Sequence, residues 1–582
     1  MADPQAPSPA TESQEENKPS PVEGIKEQSV YLRGTIAEEL VDGNDFFSSD
    51  STQLLKHHGT YQQDDRDRRA EARALGRDKA YMMMVRSKIP GGKLTHQQLL
   101  AELDLCDEIG NKTLRVTSRQ GLQLHRVLKN DLQEAIQRIN AIGLSTLGAC
   151  GDVNRNVCCC PAPYKDPVHQ QMQALADTIA EYFAPRSTAY HEIWLRGEGE
   201  EEAFRVETGE SPETIEPIYG RHYLPRKFKI GIALPEDNCI DVYTHDLGLL
   251  TIAEGDTIRG YNVLVGGGLG VTPSAKKTFP ALGKKLCFAT PEQVLDVAAA
   301  VIKVQRDFGN RSDRKVARLK YLISNWGIER FKAKVEEYYG GPLAPPTDHD
   351  VVQMQDHMGW FEQGDGRWCY GLNIENGRIA DTELCRMKSA LREVCHTLKP
   401  IVRLTAHQSI LFGDIQESDR ETLEAILKKH HVPLFEQVSN TRRWSMACVA
   451  WPTCGLSITE AERALPGMVD DLEKELEKLG LSDEQFTMRM TGCPNGCARP
   501  YNPDIGLVGR AKGKYTLFLG GRMLGDRLNF LYKDMVPEED VVTELKNVFR
   551  YFKQDRTPGE GFGDFCHRKG AEDLAAWVAQ QS

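Results

Sequence analysis

From residue 80 onward, apolar and polar positions fall into a regular order. AYMMMVRSKI (80–89) is an apolar run of strand length, PGG (90–92) reads as a turn, and THQQLLAELDLCDEIG (95–110) carries apolar residues at helical spacing behind Thr95, an N-cap residue type. TLRVTSRQGLQLHRV (113–127) alternates as a strand, and DLQEAIQRINAIG (131–143) returns to the helical period. Strand, helix, strand, helix in that order predicts an α+β layer. Upstream, YQQDDRDRRAEAR (61–73) is charged with no core face, so residues 28–80 are expected to lie as an arm across the rest of the chain. The first residues, rich in Pro, Ser, Glu and Gln, predict a disordered tail to about residue 27.

The pattern then repeats. Arg115-Val-Thr-Ser-Arg-Gln120 returns as Arg403-Leu-Thr-Ala-His-Gln408. Phe228 precedes Asp246-Leu-Gly-Leu249 by eighteen residues, and Phe486 precedes Asp504-Ile-Gly-Leu507 by the same eighteen. Tyr261-Asn-Val-Leu-Val-Gly-Gly267 is echoed by Tyr515-Thr-Leu-Phe-Leu-Gly-Gly521. Three echoes in one order predict two related halves, roughly 81–350 and 351–582, packed about a local two-fold axis.

A length of 582 residues with 40% hydrophobic and 27% charged content is that of a multidomain globular protein. No apolar run reaches about 18 residues, so no membrane span is expected. A net charge of −12 argues against nucleic acid as the general partner. The N-terminal stretch has neither the apolar core of a signal peptide nor the arginines of a transit peptide. Fifteen cysteines without a secretion signal point to a reducing compartment, by default the cytoplasm.

Four of those cysteines are paired in short loops. MACVAWPTCG (446–455) holds Cys448 and Cys454, and TGCPNGCA (491–498) holds Cys493 and Cys497. Two such pairs suit zinc or an iron–sulfur cluster. The five-residue gap after Cys448 is wide for zinc and suits a larger 4Fe–4S cluster, while Gly492, Pro494, Asn495 and Gly496 leave the second loop open to a large flat partner. In the repeat Cys497 aligns with Cys239 but Cys493 aligns with Pro235, so one half is expected to hold the cluster and the other to supply basic residues to a shared cofactor. Cys158-Cys159-Cys160 aligns roughly with Cys448; buried free thiols are the default for that run, with one of them approaching the active site as the alternative.

The first half carries those basic residues. Arg86 precedes the PGG turn, and Arg115, Thr117 and Arg119, with Gln123 continuing, are expected on one strand face. Arg155 lies in GDVNRNV, and Lys227 and Lys229 lie two apart in LPRKFKIGIAL. Arg311, Arg314, Lys315 and Arg318 recur at helical spacing as a basic stripe. Any one of these is most simply a surface charge; the two lysines at the entry to an apolar strand fit that reading less well. Gly266-Gly-Gly-Leu-Gly270 resembles a dinucleotide loop, but its echo at Gly520-Gly521 favours a structural turn. With no nicotinamide or flavin site in view, electrons are expected from another protein.

ACxxxPxC followed by TGCPNGC is similar to the cluster signature of the sirohaem sulfite and nitrite reductases, and the resemblance runs from YLRGTIAEEL (31–40) to GEGFGDF (559–565), closest to the assimilatory sulfite reductase haemoprotein branch. The resemblance implies an internally duplicated α+β fold. A ferredoxin-like pseudo-dimeric domain would comprise 81–148 and 352–426, a sirohaem and substrate domain 149–351, and a cluster and sirohaem domain 427–582. It implies that Cys448, Cys454, Cys493 and Cys497 hold a 4Fe–4S cluster, with Cys497 bridging to sirohaem iron. Arg86, Arg155, Lys227 and Lys229 match the residues that contact the substrate oxyanion. Arg115, Thr117, Arg119, Gln123 and Asn495 match the sirohaem periphery, and Arg311 and Arg318 follow as further cofactor contacts. Nitrite reductases of the family tend to carry Asn where this chain has Lys229, which favours sulfite. The implied activity is six-electron reduction of sulfite to sulfide in sulfate assimilation and cysteine biosynthesis. The implied electron donor is an NADPH-dependent flavoprotein alpha subunit or ferredoxin. Nitrite reduction to ammonia, and a zinc-stabilised binding module without redox chemistry, are the alternatives.

Overall fold

The computed structural model describes residues 18–187, 189, 194–195, 204–205, 216–272 and 275–581. Its strands form four five-stranded sheets in two matched pairs, with a two-stranded ribbon beside them.

In the first pair one sheet runs Thr60–Asp64, Tyr81–Ser87, Leu122–Val127, Leu114–Val116, Arg378–Ile379; the other runs Gly359–Glu362, Trp368–Leu372, Ile410–Ile415, Ile401–Leu404, Lys93–Thr95. The last strand of each comes from the opposite half. Ile379 pairs with Leu114, and Thr95 pairs with Ile401, so neither sheet is complete without the other repeat. Alternation puts Leu114, Val116, Val402 and Leu404 inward, where they meet Leu99 and Leu103 of the helix His96–Glu108 and Leu391 and Val394 of Met387–Thr397 in one core. Thr95 caps its helix as the sequence predicts. Its Oγ1 accepts from Gln98 N at 3.1 Å and Gln98 Oε1 accepts from Thr95 N at 2.9 Å, satisfying two end-of-helix donors together.

In the second pair the orders are Lys284–Ala289, Thr257–Val265, Leu247–Glu254, Ile230–Ala233, Cys158–Cys159 and, reversed in direction of reading, Ser445–Ala447, Met488–Thr491, Ile505–Ala511, Lys514–Leu519, Phe530–Pro537. The registers repeat as well: Leu247 opposes Ile230 as Ile505 opposes Met488, both in parallel pairs. Nearly unbroken apolar strands follow from burial on both faces. The α+β duplication read from the echoes is therefore the architecture.

Three local expectations are corrected. Residues 18–27 are not tail: Pro21–Gln28 is a helix whose Lys26 is buried, with Nζ on Glu23 Oε1 at 2.7 Å and on Leu224 O at 2.8 Å; residues 1–17 lie outside the described residues. Within 28–80, Thr60–Asp64 is not laid over the fold but is the edge strand of the first sheet. Arg311 to Arg318 do not form a helical stripe. Only Arg314–Val316 makes a single tight turn, and the helix Leu319–Trp326 starts after them. Among the described residues no helix is long and apolar enough to cross a membrane.

Candidate functional site

Parallel strands of the second half end together, and the cysteines sit just beyond those ends. Cys448 follows Ser445–Ala447, and Cys493 and Cys497 follow Met488–Thr491, so pairing of Ala447 with Met490 brings the two loops side by side. Cys448 N donates to Met490 O at 3.1 Å, and Gly492 N donates to Cys448 Sγ at 3.4 Å. Asn495 Nδ2 donates to Cys493 Sγ at 3.5 Å. Arg66 reaches in from the N-terminal segment, donating to Cys454 O at 2.9 Å and Ser457 O at 2.6 Å with its guanidinium 3.8 Å over Trp451. Ser118 of the first half donates to Cys497 O at 3.0 Å.

Cys493 is buried, Cys448 and Cys454 are half-buried, and Cys497 is exposed. Burial pushes the Cys448, Cys454 and Cys493 thiols up, Cys493 to about 12, and the neighbouring Cys497 adds to each shift. Four thiols that repel one another as anions have converged on a common space, which an iron–sulfur cluster, binding them as thiolates, would stabilise. A single tetrahedral zinc needs sulfurs roughly 3.8 Å apart. No three of these four sulfurs come within 4.8 Å of one another, a looser set than a single such ion needs.

Across from Cys497 lies the basic wall. Arg86, on Tyr81–Ser87, donates Nη1 to Cys150 Sγ at 3.0 Å, while its buried Nε has no partner. Burial works to lower its pKa, but Cys150, Tyr61 and Cys497 outweigh burial and raise it. Arg155 is buried and anchored by Nε on Gly151 O at 2.8 Å. Arg119 holds Asn156 O through Nη2, and its Nε is also buried and unpartnered, as is His245 Nε2. Lys227 and Lys229 are half-buried, and among the described residues neither ammonium has a hydrogen-bond or ion-pair partner. Burial drives the Lys227 pKa down to about 7, with Arg226 and Arg318 adding to the fall and Cys497 opposing it. Burial drives Lys229 well below its ordinary value, Arg119 and Arg318 adding to it. Cations held unpaired at this density favour an anionic ligand.

Arg318 belongs to this wall as a positioning residue. It forks onto Asp246 at 3.1 and 2.7 Å and donates to Gly267 O at 3.1 Å. A Cβ on Gly268 would fall 2.4 Å from Arg318 Nη1, and one on Gly270 would fall 2.9 Å from Asn495 O. The glycine run is thus a close-approach turn between Arg318 and the second cysteine loop, as its echo suggested.

Other predicted contacts are committed elsewhere. Arg115 does not share a face with Arg119: the strand ends at Val116, Gln120 turns at φ 53°, and Arg115 binds Glu462 at 2.8 Å and Ala447 O at 2.9 Å, bracing the strand that leads to Cys448. Gln123 accepts from Arg115 Nη1 at 3.4 Å, and Thr117 Oγ1 accepts from Gly121 N at 3.1 Å. Arg311 clamps the N-terminal helix through Glu23 and Tyr223 O at 2.7 Å, away from Cys497. In the triple-cysteine run, Cys158 faces Arg119, Cys159 enters the domain core and Cys160 turns to Asp237. Sequence reading missed Asp246, although it lies in the echo. Its Oδ2 accepts Lys229 N at 3.0 Å as Asp504 Oδ2 accepts Thr487 N at 2.9 Å.

A family description of the nitrite and sulphite reductase 4Fe-4S domain matches residues 175–343 and 439–582, and one of the nitrite/sulfite reductase ferredoxin-like half domain matches 75–142 and 361–430. The sulfite reductase (NADPH) hemoprotein beta-component of Staphylococcus haemolyticus is 42% identical over 550 residues, 94% of this chain and 95% of that protein. The sulfite reductase (ferredoxin) of Synechococcus elongatus is 43% identical over 568 residues, 96% of this chain and 90% of that one. The solved structure of the Mycobacterium tuberculosis NirA protein superposes with a TM-score of 0.78 at 24% identity, covering 96% of this chain and 98% of that chain, and so shares the fold.

Proposed function

The chain belongs to the nitrite and sulphite reductase family, and we propose that it reduces sulfite to sulfide in sulfur assimilation, with six electrons delivered by a donor protein. Cys448, Cys454, Cys493 and Cys497 would hold the 4Fe–4S cluster, and Arg86, Arg119, Arg155, Lys227 and Lys229 would hold the sirohaem and its anionic substrate. The observation that carries this is the pair of lysines Lys227 and Lys229, unpartnered among the described residues, with Arg86 and Lys227 both feeling the charge of Cys497 and Arg155 near Lys227. When bound, the two groups would supply single-electron storage and a redox-active iron.

The rest is the work of the chain. Arg86, whose pKa Cys150, Tyr61 and Cys497 raise against burial, stays protonated, and Arg86 and Arg155 would hold the anion in place. The orphaned Arg86 Nε and Arg119 Nε supply donors to oxyanion or carboxylate without breaking any existing bond. Each sulfite oxygen must leave as water, so protons must arrive at oxygen. Lys227, brought down to about 7, can give a proton and regain one from solvent near neutral pH. The donor is proposed to be an NADPH-oxidising flavoprotein, with ferredoxin as the other candidate, and the setting the cytoplasm.

Lys229→Asn tests the substrate assignment. Sulfite turnover should fall at least about tenfold more than nitrite turnover; equal losses would sink it. Anaerobically purified protein should carry about five irons per chain and a haem-type absorption spectrum.

A further inference from the structure

The duplicated sheet has a second loop cluster where the first half repeats the cysteine loops. In the second half, Ala447 opposes Met490 and Cys448 is the next residue; in the first, Cys159 opposes Ile232 and Cys160 is the next residue. Ile232 and Met490 hold equivalent places, since Leu249 opposes one and Leu507 the other. Cys160 therefore stands where Cys448 stands, and by the same register Cys239 stands for Cys497 and Asp237 for Asn495.

These residues have not dispersed into the core. Cys160 Sγ donates to Asp237 Oδ2 at 2.9 Å, His357 Nε2 lies 2.9 Å from that same oxygen, and Cys160 Sγ and His357 Nε2 are 3.5 Å apart. Cys239 completes the group, and all four ligand atoms lie within 4.8 Å of one another. All four residues are more than nine-tenths buried. Among the described residues no lysine or arginine pairs with Asp237, whose ion-pair partner is His357. One buried carboxylate and two buried thiols thus face the His357 imidazole, with His169 also hydrogen-bonded to Cys160, and among the described residues no lysine or arginine balances them.

We infer that Cys160, Asp237, Cys239 and His357 form a second metal centre, a closed four-ligand site for zinc(II), built at the pseudo-symmetric image of the cluster loops. Two thiolates, one imidazole and one carboxylate suit zinc by ligand type. A tetrahedral zinc shell of those atoms has edges of roughly 3.3–3.8 Å, so the present triangle of 2.9, 2.9 and 3.5 Å needs to open by less than about 1 Å. With four protein ligands and no open position, the site is structural. It would staple two parts of the chain, because His357 lies on the segment leading into the strand Gly359–Glu362, whereas the other ligands follow Cys158–Cys159 and Ile230–Ala233, neighbouring strands of another sheet. That segment is already aligned for it: Val352 N donates to Pro235 O at 2.7 Å, Asn238 N to Gln353 O at 3.0 Å and Gln355 N to Asp237 Oδ1 at 3.3 Å. Full burial means the ion is taken up as the chain folds.

The test is elemental analysis of the holoenzyme purified from zinc-supplemented cells and stripped of loose metal with EDTA. About one zinc per chain is expected beside the iron, and zinc-edge X-ray absorption should give sulfur neighbours at about 2.3 Å and nitrogen or oxygen neighbours at about 2.0 Å. Cys160→Ser and His357→Asn should each lower zinc at least tenfold with iron unchanged; Asn is chosen because residue 357 has φ 58°, a conformation Asn tolerates. Wild-type protein with its full iron and no zinc overturns the inference, as does a zinc shell without sulfur, or zinc that persists in both variants. The absorption measurement needs no variant, so a variant that fails to fold leaves the inference open to refutation.

Discussion

Asp241 joins the halves by neutralising two buried arginines of the other half. Asp241 is fully buried; its Oδ2 accepts from Arg489 Nη1 at 2.8 Å and from Arg499 Nε, and Asn502 Nδ2 lies 3.2 Å from its Oδ1. Arg499 follows Cys497 by two residues and also donates to Ser118 O at 2.9 Å and Ala406 O at 3.1 Å, so this one ion cluster ties the cysteine loop to both ferredoxin-like turns. Asp241→Asn removes the charge alone. The residue sits at φ 54°, which Asn adopts as readily as Asp, and an amide oxygen remains to accept one hydrogen bond. Each pair is worth about 4 kcal/mol at an effective dielectric of ~20, and the carboxylate's desolvation offsets several kcal/mol of the sum. Two buried guanidinium groups left uncompensated should therefore cost about 3–5 kcal/mol. The assay is anaerobic urea unfolding of holoenzyme, followed by tryptophan fluorescence and cluster absorbance together, with the variant's first transition moved to lower urea. Burial pushes the Asp241 pKa up, but Arg489 and Arg499 outweigh it and hold it well below the carboxylate range. A depressed folded pKa contributes stability above the unfolded value of about 3.9 and loses it as pH falls through the folded one. The gap between wild type and variant should thus be constant from about pH 5 to 8 and narrow only in stronger acid. A gap under about 0.5 kcal/mol at neutral pH would refute the charge argument, as would one that changes between pH 6 and 8.

Three further outcomes follow from single contacts. Lys227 must be protonated to donate, so kcat/KM for sulfite should fall as pH rises through a limb at or above about 7, and Lys227→Arg should move that limb upward; a limb left in place belongs to sulfite itself and removes Lys227 from the proton path. Gly270→Ala places a methyl 2.9 Å from the backbone oxygen of Asn495 and should lower iron per chain by displacing the second cysteine loop, whereas full iron content would show that the loop yields freely. Thr95→Ala removes the capping box of His96–Glu108 and should cost about 1 kcal/mol in the urea transition without altering iron content.

What could be read from the sequence divides by range. Strand alternation, the Thr95 cap and the three echoes are local or periodic, and they carried the α+β duplication without any contact being known. The cysteine pairs were legible because each loop closes on itself. Arg115 was misplaced for the opposite reason: its period-two relation to Arg119 holds only while the strand lasts, and the strand stops at Val116. Its partner Glu462 lies 347 positions away, and nothing near either residue announces the pairing. The same is true of Asp241 with Arg489, where a charge that looks solvated in sequence is buried by a partner from the other half, and of Arg311, whose partner Glu23 lies 288 positions away.

The echoes hold a finer signal than the fold. Asp246 and Asp504 keep one job, each accepting the backbone N–H of the residue two before Gly231 or Arg489, and so each fixing where its strand begins. Residues at the strand ends have instead diverged. Where one half presents Cys448 and Cys497 on the cysteine loops, the other presents Cys160 and Cys239 to its own interior, and where one half has Thr487 the other has Lys229, unpaired among the described residues. A duplicated frame with conserved strand anchors leaves its loop ends free to specialise. The division of labour, thiols from one half and basic residues from the other, follows from that freedom.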